Sequence, residues 1–480
     1  MKVEAKSESQ PQETSRELPR QKWKPGCLSY LVTTVALLLI AGWATNLLWT
    51  QSARREFEAK IAEIKDRGEP VWFADLKPDL LPAAVDGTQE FIKASRLYDA
   101  GVAQHASVFF SFEGTHIDGT GRGSAGLTSQ FSAVDLQNFR EVVAASEPAL
   151  DALRQALDKG AIRAEVDYNS SMPIAIILEF QEPQRDLSRV VFARGVLAVA
   201  EGDADLAISS ARDLFRLADL TKEDGFLISQ LVRLAVAEQG VQLADGILEH
   251  FHLTDDQRSH LDGILAEAEK NFRLRDSFIA ERAVIMTMLT QDAEALSDPS
   301  VGGTMEVSPV VGWLHQTMPA LQYQNMIQSL VTFDRAIGVV DETGPAAVRE
   351  MQLIDDEVGA LPDMYFLTKA MFPALPACHR AVLRHRQRLR GLRLALRVDR
   401  YYRNNGQFPA ALRDVVDEAM PEVPLGTFSN KPVEFQTTQN GFIIYCVGAD
   451  GNDGGGTGDQ DETDGMIEIT YPPNGPAGQR

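Results

Sequence analysis

Between Cys27 and Thr50 the chain reads CLSYLVTTVALLLIAGWATNLLWT, a run with no charged residue. About 20 apolar residues suffice to cross a bilayer, so this run is long enough to be a transmembrane helix. Trp23, Trp43 and Trp49 stand near its ends, where aromatic belts form at the water interface. A cleaved signal peptide has a shorter apolar core followed by small residues. Here the run passes straight into the charged, helix-forming QSARREFEAKIAEIKD, so it reads as an uncleaved anchor. Arg16, Arg20, Lys22 and Lys24 precede it and Arg54, Arg55, Lys60 and Lys65 follow it. With similar basic flanks, the signal-anchor position and the acidic bulk behind it favour a cytoplasmic N-terminus. That reading places the chain in the bacterial inner membrane with most of its residues outside the cytoplasm.

The remainder has the composition of folded protein: 480 residues, 44% hydrophobic and 24% charged. Six Lys/Arg against four Glu make residues 1–26 about +2, leaving about −24 for the rest of a chain whose total is −22. Such a surface repels nucleic acid and favours cations or basic partners. Three cysteines are too few for a disulfide framework. Cys27 lies at the membrane entrance, and Cys378 and Cys446 either pair or remain two buried thiols.

Residues 51–87 read as a juxtamembrane helix followed by an extended, proline-punctuated link. Helical spacing dominates from 88 to 375: Val190, Ala193, Leu197 and Ala200, then Ala207, Ala211, Leu214 and Ala218, then Leu227, Leu231 and Leu234. Glu201-Gly202-Asp203 predicts a tight turn between antiparallel helices. LAVAEGDADLA from Leu197 echoes LAVAEQGVQLA from Leu234, which suggests helical-hairpin repeats, although no third copy is present. Thr254-Asp-Asp-Gln257 is a capping box that opens another helix. A long helix near 377–403 carries Arg380, Arg384, Arg386, Arg388, Arg390, Arg393, Arg397 and Arg400. It is either an anion or partner site, or a helix laid across the acidic remainder of the same chain. Past Gly406 the pattern shifts to a short helix and two alternating strands that Asn440-Gly441 joins as a hairpin. The fold class is mainly α: a transmembrane helix, a multi-helix ectodomain and a small α+β C-terminal domain over 376–480.

Motifs for catalysis are scarce. No His-Glu-x-x-His occurs, and Glu249-His250-Phe251-His252 reads as a helix terminus rather than a metal site. Gly121-Arg-Gly123-Ser-Ala-Gly126 matches a dinucleotide fingerprint by letters only, inside a Gly-rich loop. The acidic stretch GADGNDGGGTGDQDETDG, Gly448 to Gly465, is different. Carboxylates this dense stay ionised when solvated or when a cation sits among them, and calcium takes six to eight oxygens. The EF-hand pattern fails, because Gly454 stands at an acidic ligand position, and the repeat-toxin nonapeptide fails at Gln460. From the residues alone the loop is a solvated tail or an ion site.

The runs RVDRYYRNNGQFPAALRDVV, VPLGTFSNKPVEF and GFIIYCVGADGNDGGGTGDQD together resemble the C-terminal domain of the type II secretion major pseudopilin. The resemblance implies a structural Ca2+ held by Asp450, Asp459, Asp461 and nearby carbonyls. It covers about the last 85 residues and has departures. Gly426-Thr427 replaces the family's aspartate-proline, and Leu31 stands where a prepilin has glutamate. The whole chain resembles a family of membrane-anchored bacterial proteins, typical of planctomycetes, which implies an architecture without an activity. The preferred expectation is an extracytoplasmic scaffold with protein partners in the envelope and no assigned catalytic residue. The alternatives are an envelope hydrolase using carboxylates gathered between helices, with an unknown small-molecule substrate, and an accessory protein of a pseudopilus.

Overall fold

The computed structural model describes residues 25–104, 127–163, 165–170, 181–290, 313–314, 317–365, 368–369, 372, 374–438, 441–448, 455 and 467–470. Helix α1, Pro25–Asp66, runs unbroken for 42 residues. The charge-free run and the charged run are therefore one rod, long and apolar enough in its first part to cross a membrane or to serve as a signal sequence. Its two parts differ in cover. Leu37, Leu38, Leu39 and Trp43 are exposed, whereas Ala53, Phe57 and Ile64 are buried. Their spacing of four and seven keeps them on one face. That face lies on α10, Pro319–Val339, with the Phe57 and Tyr323 rings 5.7 Å apart.

The link after α1 is docked rather than free. Asp75 accepts from the Val71 and Trp72 amides, and the Phe73 amide donates to Thr287 Oγ1 at 2.8 Å. Phe73 is fully buried and stacks on Tyr168 at 5.2 Å. Arg282, from α9 (Arg275–Met288), is 1% exposed and holds both Glu69 at 2.9 Å and Asp334 of α10 at 2.7 Å. The link, α9 and α10 are thereby tied together through one guanidinium.

The helices that follow the link are α2 (Thr88–Gln104), α3 (Ala133–Ala145), α4 (Glu147–Lys159), α5 (Glu182–Glu201) and α6 (Ala204–Asp219). The α5–α6 hairpin forms where the sequence places it: Gly202 takes φ 83°, which glycine tolerates, and Asp203 caps the Leu206 amide at 3.0 Å. Helix α7, Leu227–His250, is central and packs on α5, α6 and α9, so it is apolar on nearly every side. At Gly195 a Cβ would come within 2.2 Å of Leu243, which fixes the close crossing of α5 and α7.

A repeat of hairpins does not continue from there. Helix α8, Asp255–Asn271, begins with the expected Thr254/Gln257 capping box, yet it packs on α6 and on α12 (Ala374–Asn405) rather than folding back along α7. Helix α11, Pro345–Gly359, lies between α10 and α12.

Past α12 a 3-10 turn, Leu412–Asp414, stands where the sequence suggests a short helix. Three antiparallel strands follow in the order β1 (Glu434–Thr438), β2 (Gly441–Tyr445), β3 (Ile467–Thr470). The expected hairpin is present, with Thr438 opposite Gly441. Thr427 is buried, receiving no solvent, and donates to the Leu383 carbonyl of α12 at 3.0 Å.

Replacing Arg282 with Leu strands Glu69 and Asp334, and breaking a buried ion pair on one side costs roughly 3–5 kcal/mol. Replacing Arg67, whose side chain is 40% exposed beside the same carboxylates, costs under about 1 kcal/mol. Urea melts of both variants in detergent, with limited proteolysis at residues 68–77, check the contrast.

Candidate functional site

The basic helix is bound into its own protein. Glu238 of α7 accepts from His385 at 2.6 Å and from Arg388. On α8, Glu269 takes Arg390 at 2.8 Å and Arg393 at 3.0 Å, while Asp262 takes Arg393 at 3.0 Å and Arg397 at 2.8 and 2.9 Å. Asp417, beyond α12, accepts from Arg397 at 3.0 Å and Arg400 at 2.8 Å. Helical geometry explains the ladder: 258, 262, 265 and 269 recur every three or four residues and form one face of α8. Arg258 on that face meets Asp399 at 3.3 Å. Burial pushes the Asp262 carboxyl up, but hydrogen bonds and charge from Arg397 and Arg393 outweigh it and hold the group below its ordinary range. Asp417 is depressed in the same way, by Arg397 and Arg400 against burial. Between the two readings of this helix, these arginines follow the intramolecular one.

The next face of α8 is open. His260, Gly263, Ile264 and Glu267 face Arg212, Phe215 and Arg216 of α6 across a groove of about 360 Å³, within the usual range for ligand sites. Phe215 and Ile264 give it an apolar floor. Arg212 reaches Asp213 at 3.3 Å with a side chain 41% exposed, so it retains donors for an incoming acceptor. A Cβ at Gly263 would meet nothing within 4 Å. At one end, Asp219 is held by Arg233 at 2.8 Å, and the Arg233 guanidinium stacks 4.6 Å from the Phe272 ring centroid. The groove is shallow and bears both signs of charge.

Two carboxyl groups that sequence reading does not single out sit at the start of α7. Glu281 of α9 accepts from the Leu227 amide, but burial prevails and lifts its carboxyl to about 7. Asp224 accepts from Ser229 Oγ at 2.9 Å, and burial raises it too. Gln181 Nε2 donates to the same Ser229 oxygen at 2.8 Å. Beside Asp224, burial pushes the Tyr168 hydroxyl up to about 12. Cys378 of α12 is also pushed to about 12, by burial and then by Glu281. His379 is driven down to about 4 by burial. Acids are so frequent in this sequence that nothing local marks Asp224 and Glu281; each is set apart only by its burial near the start of α7.

Asp450, Asp459 and Asp461 lie outside the described residues, as does the 121–126 glycine loop. The base of the acidic loop is described: Ile444 of β2 pairs with Ile467 of β3, so the chain leaves and returns on adjacent strands. Among the described residues no group of His, Cys, Asp and Glu could hold a metal ion. His250 Nδ1 lies 2.9 Å from the Gly246 carbonyl, a helix-end contact. Cys378 and Cys446 are buried thiols that do not pair in a disulfide, and Cys446 Sγ accepts from Gln387. Comparison of the chain with protein-family models, with curated proteins and with solved structures found no match.

Two pH responses of opposite sign follow. Folding depresses Asp262 and Asp417, so their stabilisation is present above the unfolded value near about 4 and is lost as pH falls through the folded value. Asp262→Ala therefore destabilises by roughly 3–5 kcal/mol at pH 7, and its gap to wild type narrows below about pH 4. Glu281 keeps its proton to about 7 when folded, whereas an unfolded Glu loses it near about 4.3. The folded state then binds more protons, and stability falls as pH rises between those values. Glu281→Gln removes this slope and is more stable than wild type at pH 8 by on the order of 3 kcal/mol. Chemical denaturation at a series of pH values reads both.

Proposed function

We propose that the protein is a single-pass, membrane-anchored scaffold of the bacterial envelope. Its helical body presents the α6–α8 groove to a protein partner, and its C-terminal module carries a structural Ca2+. The observation that carries the reading is α1: one helix leaves the apolar run and becomes part of the packed body without a joint. The groove is thus held at a fixed place relative to the membrane, as suits a docking platform. Its apolar floor between Arg212 and Arg216 suits an apolar side chain flanked by carboxylates.

The calcium part of the proposal assigns Asp450, Asp459 and Asp461 as ligands. It is supported by the pseudopilin-like sequence, by the order of helix then antiparallel strands, and by the closed base of the acidic loop. Extracellular calcium modules commonly bind at about 10⁻⁴ to 10⁻³ M, and an ion there would neutralise carboxylates that otherwise repel.

A second reading, an envelope hydrolase, is favoured by one observation: Asp224 and Glu281, both raised, flank the start of α7. A carboxyl near 7 suits general acid–base work. Hydrolysis that is lost in both Asp224→Asn and Glu281→Gln would support the enzyme over the scaffold.

Gly263→Trp fills the groove from an open position. In-membrane crosslinking with mass spectrometry of wild type and variant is the test of the scaffold, and a partner present with wild type and absent with the variant is expected. Identical partner sets would remove the groove from the account. For the ion, calorimetry of the full chain in detergent with Ca2+ is expected to give saturable heat that Asp450→Asn and Asp459→Asn abolish; no heat in wild type refutes the site.

A further inference from the structure

The body reaches the lower end of the apolar run. Asn46 and Thr50 are partly covered while their neighbours are exposed, and they continue the stripe that Ala53 and Phe57 bury. Asn46 Nδ2 lies 3.5 Å from the Thr317 carbonyl. Farther along, Phe57 meets Tyr323 and Arg67 meets Asp334 at 3.1 Å. Matching positions rise together on both helices, so α10 runs parallel to α1 and begins at the membrane end.

Just before α10, Thr317 Oγ1 donates to the Trp313 carbonyl at 2.8 Å and the Met318 amide to Leu314 at 2.8 Å. This helical turn carries Trp313, which is 60% exposed. One turn spans about 6 Å, or four residues of α1. However the turn tilts, Trp313 falls level with the stretch from Gly42 to Thr50. That stretch has no charge and contains Trp43 and Trp49, so an exposed indole there matches the level of an interfacial belt.

We propose that Trp313 inserts into the interfacial zone of the bilayer that α1 crosses, as a second contact that seats the body on the lipid surface. The proposal rests on α1 spanning the membrane. Lipid is the occupant because the patch is continuous in level with the apolar run and its own aromatic residues. An indole also places an apolar ring in the acyl boundary and an N–H among headgroups.

The test uses the full chain in phosphatidylcholine vesicles with bromine placed either near the glycerol end or near the terminus of the acyl chains. Trp313→Phe, at an exposed position, isolates the Trp313 emission by difference from the other four tryptophans. Shallow bromine should quench that difference signal about twofold more than deep bromine, and aqueous iodide should quench it weakly. A difference signal open to iodide and indifferent to both lipids overturns the seat while Trp43 and Trp49 still report the anchor. A signal shielded from iodide and from bromine means that protein covers Trp313, which also overturns it. If no tryptophan is quenched by bromine, the span itself fails and the seat with it.

Discussion

The feature on which the architecture depends is the change of cover along α1. For its first turns the helix exposes leucines that water disfavours, and from Ala53 onward the same rod buries one face against α10. A helix that passes from an exposed apolar run to a buried face without a break transmits position from one to the other. Arg282 adds to this by fastening the link and α10 to α9. The packed body is therefore continuous with the apolar run, not joined to it by a tether.

The second organising force is ionic. A chain with a large negative charge draws the arginines of α12 inward, where Glu238, Asp262, Glu269 and Asp417 receive them. Buried pairs add little net stability against apolar substitutes, but leaving one partner alone is expensive. The ladder thus specifies how α8 and α12 register more than it strengthens the fold.

Local chemistry made part of this legible in sequence. The Thr254 capping box, the Glu201-Gly202-Asp203 turn and the strand pair around Gly441 depend on residues within a few positions of one another, and all three form as read. What stayed hidden is set by distant neighbours. Arg393 and Asp262 are 131 positions apart, and no spacing rule selects that acid from the many present. The link after α1 reads as extended from its prolines, yet Phe73 and Glu69 find partners beyond residue 220 that hold it down. The echo between residues 197 and 234 suggests a repeat, but α8 is drawn to the arginines of α12 instead of along α7. Glu281 is conspicuous only for where it is buried.

Hydrogen exchange along α1, followed in reconstituted vesicles, bears most directly on this account. A single rod predicts slow exchange running without interruption from the apolar run through Ile64, because lipid protects one part and α10 the other. A band of fast exchange around residues 50–53 would reveal a joint between anchor and body, and a fixed platform would then be the wrong description of this protein.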